Sequence, residues 1–430
     1  MCARLVSCLV IFSVIAATAL RAQDLTKNDA GNAVDVSGFY DSSHHWYDIR
    51  DEDHVINPLP DQKRYSPEDV RGIADNILLY QKKNGGWPKN YDMLAILTPS
   101  QKKAVLAAKK NLNTTFDNGA THTQIEYVAK AYTLTGDEKY RTACLDGIDF
   151  ILRAQYANGG WPQAYPLRKD YSRFITFNDD AMVGVMEALR HIVQGKQYYS
   201  FVDSTLRARV KAAFGKGVDC ILNCQIMENG KLTAWCQQHD NVTLKPRWAR
   251  TFEPPSVSSF ESADLVMFLM SLDHPGERVI KAVQSAAKWF YDSRIFGTRV
   301  DSVPAPHASY RYHDTDFDVV VVKDPNAPPI WTRYYELKTN RPLFCNRQDR
   351  IVYSLAQVDR ERRTGYKWYG YNPRQVLDAF PAWQKESGAE GKGETLGQGE
   401  KGTGGKGDFG TGRQGDKGRG RKEVVEDEFK

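Results

Sequence analysis

Hydrophobic positions recur at helical spacing through most of the chain between residues 66 and 364. Apolar residues three and four positions apart mark one face of an amphipathic helix, and eight stretches have this pattern. They are residues 66–82, 121–134, 138–155, 180–193, 206–225, 258–272, 275–291 and 349–364. The first stretch opens with Ser66 as a cap, Pro67 at the first helical position and an acid, Asp69, three residues beyond the cap. The pattern predicts a mainly helical protein.

An internal repeat divides this helical region into similar units. Residues 81–88 read QKKNGGWP and residues 155–162 read QYANGGWP, 74 positions later, with a weaker third copy at 225–235. Each copy follows a predicted helix, and helix pairs that cannot bury their faces alone become stable by stacking on one another. We therefore predict an all-α fold, an α/α toroid of stacked helical hairpins, with long loops and a few short strands forming a cleft.

The two ends of the chain differ from this helical domain, which we place at residues 65–385. Arg4, the apolar run 5–17 and the small residues at 17–19 predict a secretory signal peptide over residues 1–22. The mature protein would then be secreted or periplasmic, and no later segment is apolar enough to span a membrane. Residues 23–64 are an N-terminal extension. Residues 386–430 contain 14 of the 33 glycines and few apolar residues, which predicts a disordered charged tail.

Charge and cysteine content narrow the range of partners. The formal net charge is +5, and about +4 remains on residues 23–385 without the two leader arginines and the slightly acidic tail. This balance suits an anionic ligand, but the clustered basic stripes of nucleic-acid-binding proteins are missing. Five cysteines follow the leader, so at least one thiol is free or pairs with another chain. Cys220 and Cys224, four residues apart in an apolar helix, are expected to be buried thiols. We expect a monomer.

Two polar loops precede predicted helices and offer oxygen ligands. In the loop 115–126, Asp117 or Asn118 either caps the following helix or binds a ligand, and His122 shares a helix face with Glu126. In the loop 176–180, two adjacent carboxylates and an amide supply the hard oxygens that Ca²⁺ prefers, although one aspartate could be a cap. That loop ends in Asn178, Asp179 and Asp180.

Two further loops combine aromatic and charged residues. The loop 235–255 contains His239, Lys245 and Arg250 among tryptophans and prolines, and its alternative interpretation is an ion pair between Arg250 and Glu253 that pins a long loop. The loop 330–347 alternates aromatic and basic residues. Arginine forks bind carboxylates bidentately and aromatic faces accept sugar rings, so the loops together suit a polyanionic sugar. No nucleophile elbow or catalytic cysteine is indicated.

Several of these segments, in this order along the chain, resemble the pectate lyases of polysaccharide lyase family 10. The matching segments are the two NGGWP copies, FDNGAT at 116–121, FNDDAM at 177–182, WCQQHD at 235–240, WAR at 248–250, FEPPS at 252–256 and WTRYY at 331–335. The resemblance implies an α/α toroid that cleaves polygalacturonate by calcium-assisted β-elimination.

The resemblance also implies roles for individual residues. Arg250 would be the base that removes the proton at C5, and Arg333 and Arg347 would hold uronate carboxylates. The Ca²⁺ loops would contribute Asp117, Asn118, Asp179 and Asp180. The remaining substrate contacts are expected from residues in the matching segments and beside them, namely Lys245, Trp161, His122, Glu126 and His239.

The chemistry of the reaction is consistent with these roles. Removing a proton next to a carboxylate builds a second negative charge, which a divalent ion and arginines stabilise. An arginine normally has a pKa above ~12, so a base role needs a cationic, desolvated site that lowers it and predicts an alkaline optimum. Two alternatives remain: a toroidal glycoside hydrolase using Asp117 and Asp179 as paired carboxylates, or a pectin-binding module without catalysis.

Overall fold

The structure, a computed structural model, describes residues 33–49 and 54–388. Helices are the main secondary structure of the described chain, and they alternate between two packed layers. In chain order the helices are α1 (Tyr40–Asp48), α2 (Val70–Tyr80), α3 (Pro99–Ala107), α4 (His122–Thr135), α5 (Glu138–Ala154), α6 (Ala181–Val193), α7 (Ser204–Cys224), α8 (Ser259–Met270), α9 (Glu277–Asp292), α10 (Arg360–Thr364) and α11 (Asn372–Glu386).

The contacts between these helices define the two layers. Helices α2, α5, α7 and α9 follow one another in one layer, and α4, α6, α8 and α11 follow one another in the second layer. Successive helices of the chain pack across the layers, as α4 does on α5 and α6 on α7. Their facing apolar sides form one large core. The prediction of an all-α toroid of stacked hairpins is confirmed.

The sequence repeat connects each helical unit to the next one through a hydrogen bond. Gln81 follows α2, and its Nε2 donates to the carbonyl oxygen of Ala143 in α5 at 2.9 Å. Gln155 and Gln225 make the equivalent bonds from the ends of α5 and α7 to the next helix of the layer. Because the third copy makes the same bond as the first two, the weak repeat at 225–235 is structurally genuine.

Two glycines of the repeat allow neighbouring units to approach closely. Gly85 and Gly159 have φ angles of 91° and 94°, which residues with a side chain rarely adopt. A Cβ at Gly159 would lie 2.0 Å from the carbonyl oxygen of Lys216, and one at Gly85 would lie 2.3 Å from that of Asp146. Any side chain at these positions would therefore push the repeat away from the neighbouring helix.

Short strands and one long hairpin decorate the helical layers. The strands are β1 (Ile175–Thr176), β2 (Met227–Glu228), β3 (Lys231–Leu232), β4 (Gln238–His239), β5 (Val257–Ser258), β6 (Thr298–Ser309), β7 (Asp314–Lys323), β8 (Trp331–Thr332), β9 (Tyr334–Tyr335), β10 (Pro342–Asn346), β11 (Arg350–Val352) and β12 (Tyr369–Gly370). β11, β10, β9 and β5 form one antiparallel sheet, and β6 pairs with β7. This sheet carries a second apolar cluster beneath the predicted base loop.

The structure corrects several sequence predictions. The helix expected at 349–364 is wrong, because that segment begins as strand β11 and only its end, α10, is helical. The helices α1, α3 and α11 and the β6–β7 hairpin were not predicted. The first repeat helix begins at Val70 rather than near Ser66, since the Asp69 side chain caps it by accepting from the Gly72 amide at 2.9 Å.

The described part of the N-terminal extension packs into the core. Trp46 is 1% exposed, its indole nitrogen donates to the Ile56 carbonyl, and Ser42 bonds the backbone of Tyr91. The predicted domain limits stay predictions. The predicted leader and most of the charged tail lie outside the described residues. Cys220 and Cys224 are buried free thiols, as expected. Among the described helices, none has the length and apolar character to cross a membrane.

Candidate active site

The two predicted metal loops lie at the N-terminal ends of α4 and α6, which pack on each other. The residues preceding these helices, Thr121 and Asp180, have φ angles of 70° and 57°. Neither helix has a side-chain cap hydrogen bond at its start. Capping therefore does not explain the carboxylates of these loops, and the alternative interpretation of them as helix caps is wrong.

Both loops present buried oxygens that accept no hydrogen bond. Asp117 is 3% exposed; its Oδ2 accepts from Lys89 Nζ at 2.6 Å, whereas Oδ1 has no hydrogen-bond partner among the described residues. Asn178 Oδ1 is also buried and has no hydrogen-bond partner among the described residues. The Nδ2 atom of Asn178 donates to Asp179 Oδ2 at 2.6 Å. Asn118 donates to Asn90. Unsatisfied buried oxygens are uncommon, and a hard cation would satisfy these two.

Two carboxylates that the sequence analysis missed surround Asp180. Asp41 comes from α1, and its pKa is raised by desolvation and by the charges of Asp117 and Asp180, against the opposing effect of His45. Asp264 comes from α8, and desolvation, followed by repulsion from Asp180 and Glu261, raises its pKa to about 7. Carboxylates from four separate elements thus share one negative neighbourhood, which favours cation binding.

The protein alone supplies an incomplete metal shell. Within residues 33–49 and 54–388, no three acidic, histidine or cysteine side chains converge closely enough to hold an ion. Ca²⁺ takes six to eight oxygen ligands, including waters and carbonyls. The orphaned oxygens of Asp117 and Asn178 fit a hard cation, and further ligands would have to come from substrate carboxylates and water.

Arg250 lies in a buried ion pair with Glu253. Its side chain is 6% exposed, and one terminal nitrogen donates to Glu253 Oε1 at 2.6 Å, while the Arg250 amide donates to Oε2 at 3.0 Å. Attraction to Arg250 holds the pKa of Glu253 below its ordinary value although burial opposes this. The ion pair proposed as the alternative interpretation is therefore present, and it stabilises the cationic form of Arg250.

A chain of buried hydroxyl groups reaches the same carboxylate. Tyr366 Oη donates to Glu253 Oε1 at 2.9 Å, and it also contacts the hydroxyl of Tyr334, which contacts the Gln237 amide. Two hydroxyl protons cannot serve three contacts. Gln237 Nε2 is buried and makes no hydrogen bond with a described residue, so turning the amide supplies the third proton. The chain then donates from Gln237 through both tyrosines to Glu253.

The predicted arginines gather around two aromatic rings. The guanidinium of Arg333 lies 4.5 Å from the centre of the Tyr366 ring, and that of Arg250 lies 5.8 Å from it. The neighbouring ring of Phe252 has Arg250 and Arg347 each 5.1 Å from its centre. Arg333 also donates two bonds to Glu261 in α8. The structure thus brings Arg250, Arg333 and Arg347 into one cluster.

Arg347 belongs to the part of this cluster with excess positive charge. Arg347 and Arg362 each donate two hydrogen bonds to the carboxylate of Glu361. These bonds hold the pKa of Glu361 at about 2 although burial raises it. Two cations share one anion, so the group carries one net positive charge and favours the approach of an anionic ligand.

Two predicted substrate contacts are wrong because both side chains are fully buried. Trp161 is 0% exposed, and its indole nitrogen donates to the Ile151 carbonyl at 2.9 Å, which ties the repeat to α5. His239 is also 0% exposed; its Nε2 accepts from the Cys236 amide at 3.0 Å and its Nδ1 bonds the Leu244 carbonyl at 2.8 Å. Both residues hold loops in place rather than face a ligand.

The remaining predicted contacts lie in different surroundings. Glu126 accepts from Lys130 and His191, and these bonds hold its pKa at about 2 although burial raises it. His122 is 8% exposed at the start of α4, and burial lowers its pKa. Lys245 is exposed on a neighbouring surface. The contacts of these three residues with substrate stay predictions. The carboxylate of Glu126 is already paired with Lys130 and His191 within the protein.

The neutral His239 makes the base loop sensitive to acid. Burial lowers its pKa from 6.5 to about 4, so the unfolded chain takes up a proton before the folded one does. Its contribution to stability is complete above pH 6.5 and is lost as pH falls toward 4. We expect the unfolding free energy from urea titration to fall by about 2 kcal/mol between pH 7 and 5 from this residue. In His239→Gln the decline should be shallower, and an unchanged slope would contradict this.

The site residues that sequence reasoning missed are Asp41, Glu261, Asp264 and Tyr366. Asp41 lies in the extension, and the two acids of α8 occupy ordinary positions of an amphipathic helix. Glu261 pairs with Arg333, 72 positions away. No short spacing in the sequence signals such a partner. Only the folded structure identifies the two acids of α8, because it places both of them close to Arg333.

Comparisons with known proteins agree with this architecture. Residues 81–377 match the family described as pectic acid lyase. A family 10 polysaccharide lyase from Cellvibrio cellulosa is similar at 31% identity and a TM-score of 0.62, over 74% of this chain and 92% of that one. An aspartate-to-alanine mutant of that lyase, in complex with trigalacturonic acid, is similar at 30% identity and a TM-score of 0.61, over 74% and 93%. No curated protein sequence gives a match. The chain therefore belongs to the pectic acid lyase family and is a pectate lyase.

Proposed function

We propose that this pectate lyase cleaves α-1,4-polygalacturonate by calcium-assisted β-elimination with Arg250 as the base, and releases unsaturated oligogalacturonides. The observation that carries the proposal is one continuous charged neighbourhood. The charges of Asp117 and Asp180 shift the pKa of Asp41. The charges of Asp180 and Arg333 shift the pKa of Asp264. The charges of Arg250 and Arg333 shift the pKa of Glu253. These linked influences support the proposal that the acidic loops and the arginine cluster are parts of one site.

Each group has a distinct task in this reaction. Asp117, Asn118, Asp179 and Asp180 would hold Ca²⁺, which supplies electrostatic stabilisation of the charge that develops on the substrate carboxylate. Arg333 and Arg347 would orient uronate carboxylates, as arginine forks do. Arg250 would take the proton from C5 while the bond from C4 to the glycosidic oxygen breaks and a C4–C5 double bond forms. The departing oxygen would take up a proton from water and become the hydroxyl group of the new reducing end.

The protonation of Arg250 is the step that the protein must control. Glu253 stabilises the cationic form, and the nearby cations Arg333, Arg347 and Arg362 oppose it. Tyr366 donates to Glu253 Oε1, the same oxygen that Arg250 contacts, and so draws part of the carboxylate's charge away from Arg250. We therefore assign Tyr366 a positioning role that favours the neutral, basic form of Arg250.

Replacing Tyr366 with phenylalanine tests this role. Without the hydroxyl, Glu253 binds the Arg250 proton more tightly, so the acid limb of the kcat/KM profile should move to higher pH. We expect about a tenfold loss near neutrality and a much smaller loss at the alkaline end. Steady-state kinetics across pH measure both. Tyr369→Phe, a variant in a partly buried tyrosine outside this chain of bonds, is the matched control, and an equal loss at every pH would reject the role.

The reaction itself is tested by the ultraviolet absorbance of the product. Polygalacturonate with added Ca²⁺ should yield absorbing unsaturated ends, and a chelator should stop their formation. A hydrolase acting through Asp117 and Asp179 would release reducing ends without absorbance. A binding module would retain polygalacturonate and release neither. Reducing ends and absorbance measured in one sample therefore separate the three outcomes.

We also propose that the protein is secreted or periplasmic, on the basis of the leader pattern in residues 1–22. Polygalacturonate is too large to enter a cell, so export would bring the enzyme to its substrate. Expression of the full chain followed by cell fractionation tests this. The processed protein should be found outside the cytoplasm, with its new N-terminus near Gln23, and a full-length cytoplasmic protein would reject it.

A further inference from the structure

A cationic surface whose arginines have no role in the proposed reaction lies beside the two proposed catalytic loops. It is formed by residues 167–174 and 240–247, and we call it the Phe174 platform. Its basic side chains are all exposed, and they are Arg168, Lys169, Arg173, Lys245 and Arg247. The same two segments contain the acids Asp170 and Asp240. The two segments together therefore carry a net charge of +3.

Phe174 holds two of these arginines in place. The guanidinium carbon of Arg247 lies 5.0 Å from the centre of the Phe174 ring, and that of Arg173 lies 5.7 Å from it. Cation–π contacts of this kind orient a guanidinium without neutralising it. Two like charges share one ring, so an anion that binds between or beside them relieves their repulsion.

The acids of the platform are committed to local turns. Asp240 Oδ1 accepts from the Val242 and Thr243 amides at 3.0 and 2.8 Å, and its other oxygen lies 3.8 Å from Arg247, beyond hydrogen-bond distance. Asp170 Oδ1 accepts from the amide and hydroxyl of Ser172. No carboxylate of the described residues forms a salt bridge with Arg173. Asp240 therefore forms a long ion pair with Arg247, and the two acids balance only part of the charge of the five basic side chains.

Paired strands connect the platform to the catalytic loops. Phe174 directly precedes β1, which leads to Asp179, and Arg247 directly precedes the segment that leads to Arg250. β1 pairs with β4, and the Arg247 amide donates to the Gln238 carbonyl of β4 at 3.0 Å. Extended chain advances about 3.3 Å per residue, so the platform lies within about 10 to 17 Å of the proposed catalytic groups. A polysaccharide chain that fills the cleft and continues for a few more sugars spans this distance.

We propose that the Phe174 platform is a distal subsite that binds carboxylates of the uronate chain several sugars away from the bond that is cleaved. This inference rests on the proposed function, since it takes the polyanion in the cleft to be the ligand. Arg173 and Arg247 bind chain carboxylates, and Lys245 adds a point charge. A long polymer reaches both the cleft and the platform, whereas a short oligomer in the cleft does not.

The double variant Arg173→Gln/Arg247→Gln tests the subsite by comparing two substrate lengths. With polygalacturonate, kcat/KM should fall about tenfold, mainly through KM, and its dependence on salt should become flatter. With trigalacturonate or tetragalacturonate, the same constants should change less than twofold. The control is Arg278→Gln, which changes an exposed arginine of α9 and should leave the kinetic constants for both substrates unchanged. Melting temperatures verify that each variant is folded.

Other results would overturn the proposal. An equal loss on both substrates would mean that the substitutions disturb the catalytic loops, and no loss on the polymer would mean that the platform does not bind it. If the wild type forms no unsaturated product, the proposed reaction fails and binding decides the subsite separately. In gel electrophoresis with chelator, immobilised polygalacturonate should then retard the wild type more than the double variant. Equal retardation by DNA would identify a general anion surface instead.

Discussion

Replacing Arg250 with alanine is expected to lower kcat on polygalacturonate by about 10² to 10⁴-fold, the usual effect of removing a general base. KM should change little, because Arg333 and Arg347 remain to hold carboxylates. The measurement is the initial rate of ultraviolet absorbance at saturating Ca²⁺ and alkaline pH. Arg250→Lys keeps a cation but loses the planar fork, so we expect it to recover only a small part of the rate.

The buried ion pair makes a control for this variant essential. Arg250→Ala leaves Glu253 as an uncompensated charge that is 1% exposed, which costs on the order of 3 to 5 kcal/mol of stability. A loss of activity could then reflect a disordered loop. The double variant Arg250→Ala/Glu253→Gln removes both charges, so it should regain stability in a thermal melt yet stay inactive. Recovery of activity in the double variant would show that Arg250 only pins the loop.

The parts of the fold that could be predicted are those that short segments of the sequence determine. Gln81 and its two counterparts follow their helices at regular intervals, because each unit must bond the next, and so the stacked toroid is visible in the sequence. The β6–β7 hairpin was missed because most of its residues are at least partly exposed and do not give a clear apolar alternation. α11 was missed because Pro381 lies inside it, where a proline normally argues against a helix.

The site was predictable at the level of loops but less so at the level of partners. Asp117 and Arg250 were identified because unusual polar and aromatic residues cluster in their loops. Glu261 and Asp264 lie on a helix whose inward face becomes evident only in the folded protein. Trp161 and His239 were assigned to the substrate because a tryptophan or histidine in a motif can serve packing or binding equally well. Burial decides between these roles, and sequence spacing contains no information about it.

Replacing Asp117 with alanine is expected to raise the Ca²⁺ concentration needed for half-maximal activity by at least tenfold. At low Ca²⁺ the rate should fall by about 10² to 10³, since a metal ion contributes several kcal/mol to charge stabilisation and each tenfold in rate corresponds to about 1.4 kcal/mol. The physical reason is that Asp117 offers a buried oxygen to which no described residue donates a hydrogen bond, next to the charges of Asp41 and Asp180. Rates over a Ca²⁺ titration from chelator to excess measure the effect.

Lys89 decides whether Asp117 binds the cation or only balances a lysine. Its Nζ lies 2.6 Å from Asp117 Oδ2, so the lysine neutralises part of the negative charge that would attract Ca²⁺. If Asp117 is a ligand, Lys89→Met should keep the Ca²⁺ requirement unchanged or make it lower, because the carboxylate loses a competing cation. If Asp117 matters only as the partner of Lys89, both variants should lose activity alike and excess Ca²⁺ should rescue neither. Asp219→Ala changes an exposed carboxylate of α7 that pairs with Arg278 of α9, and it should leave the titration unchanged.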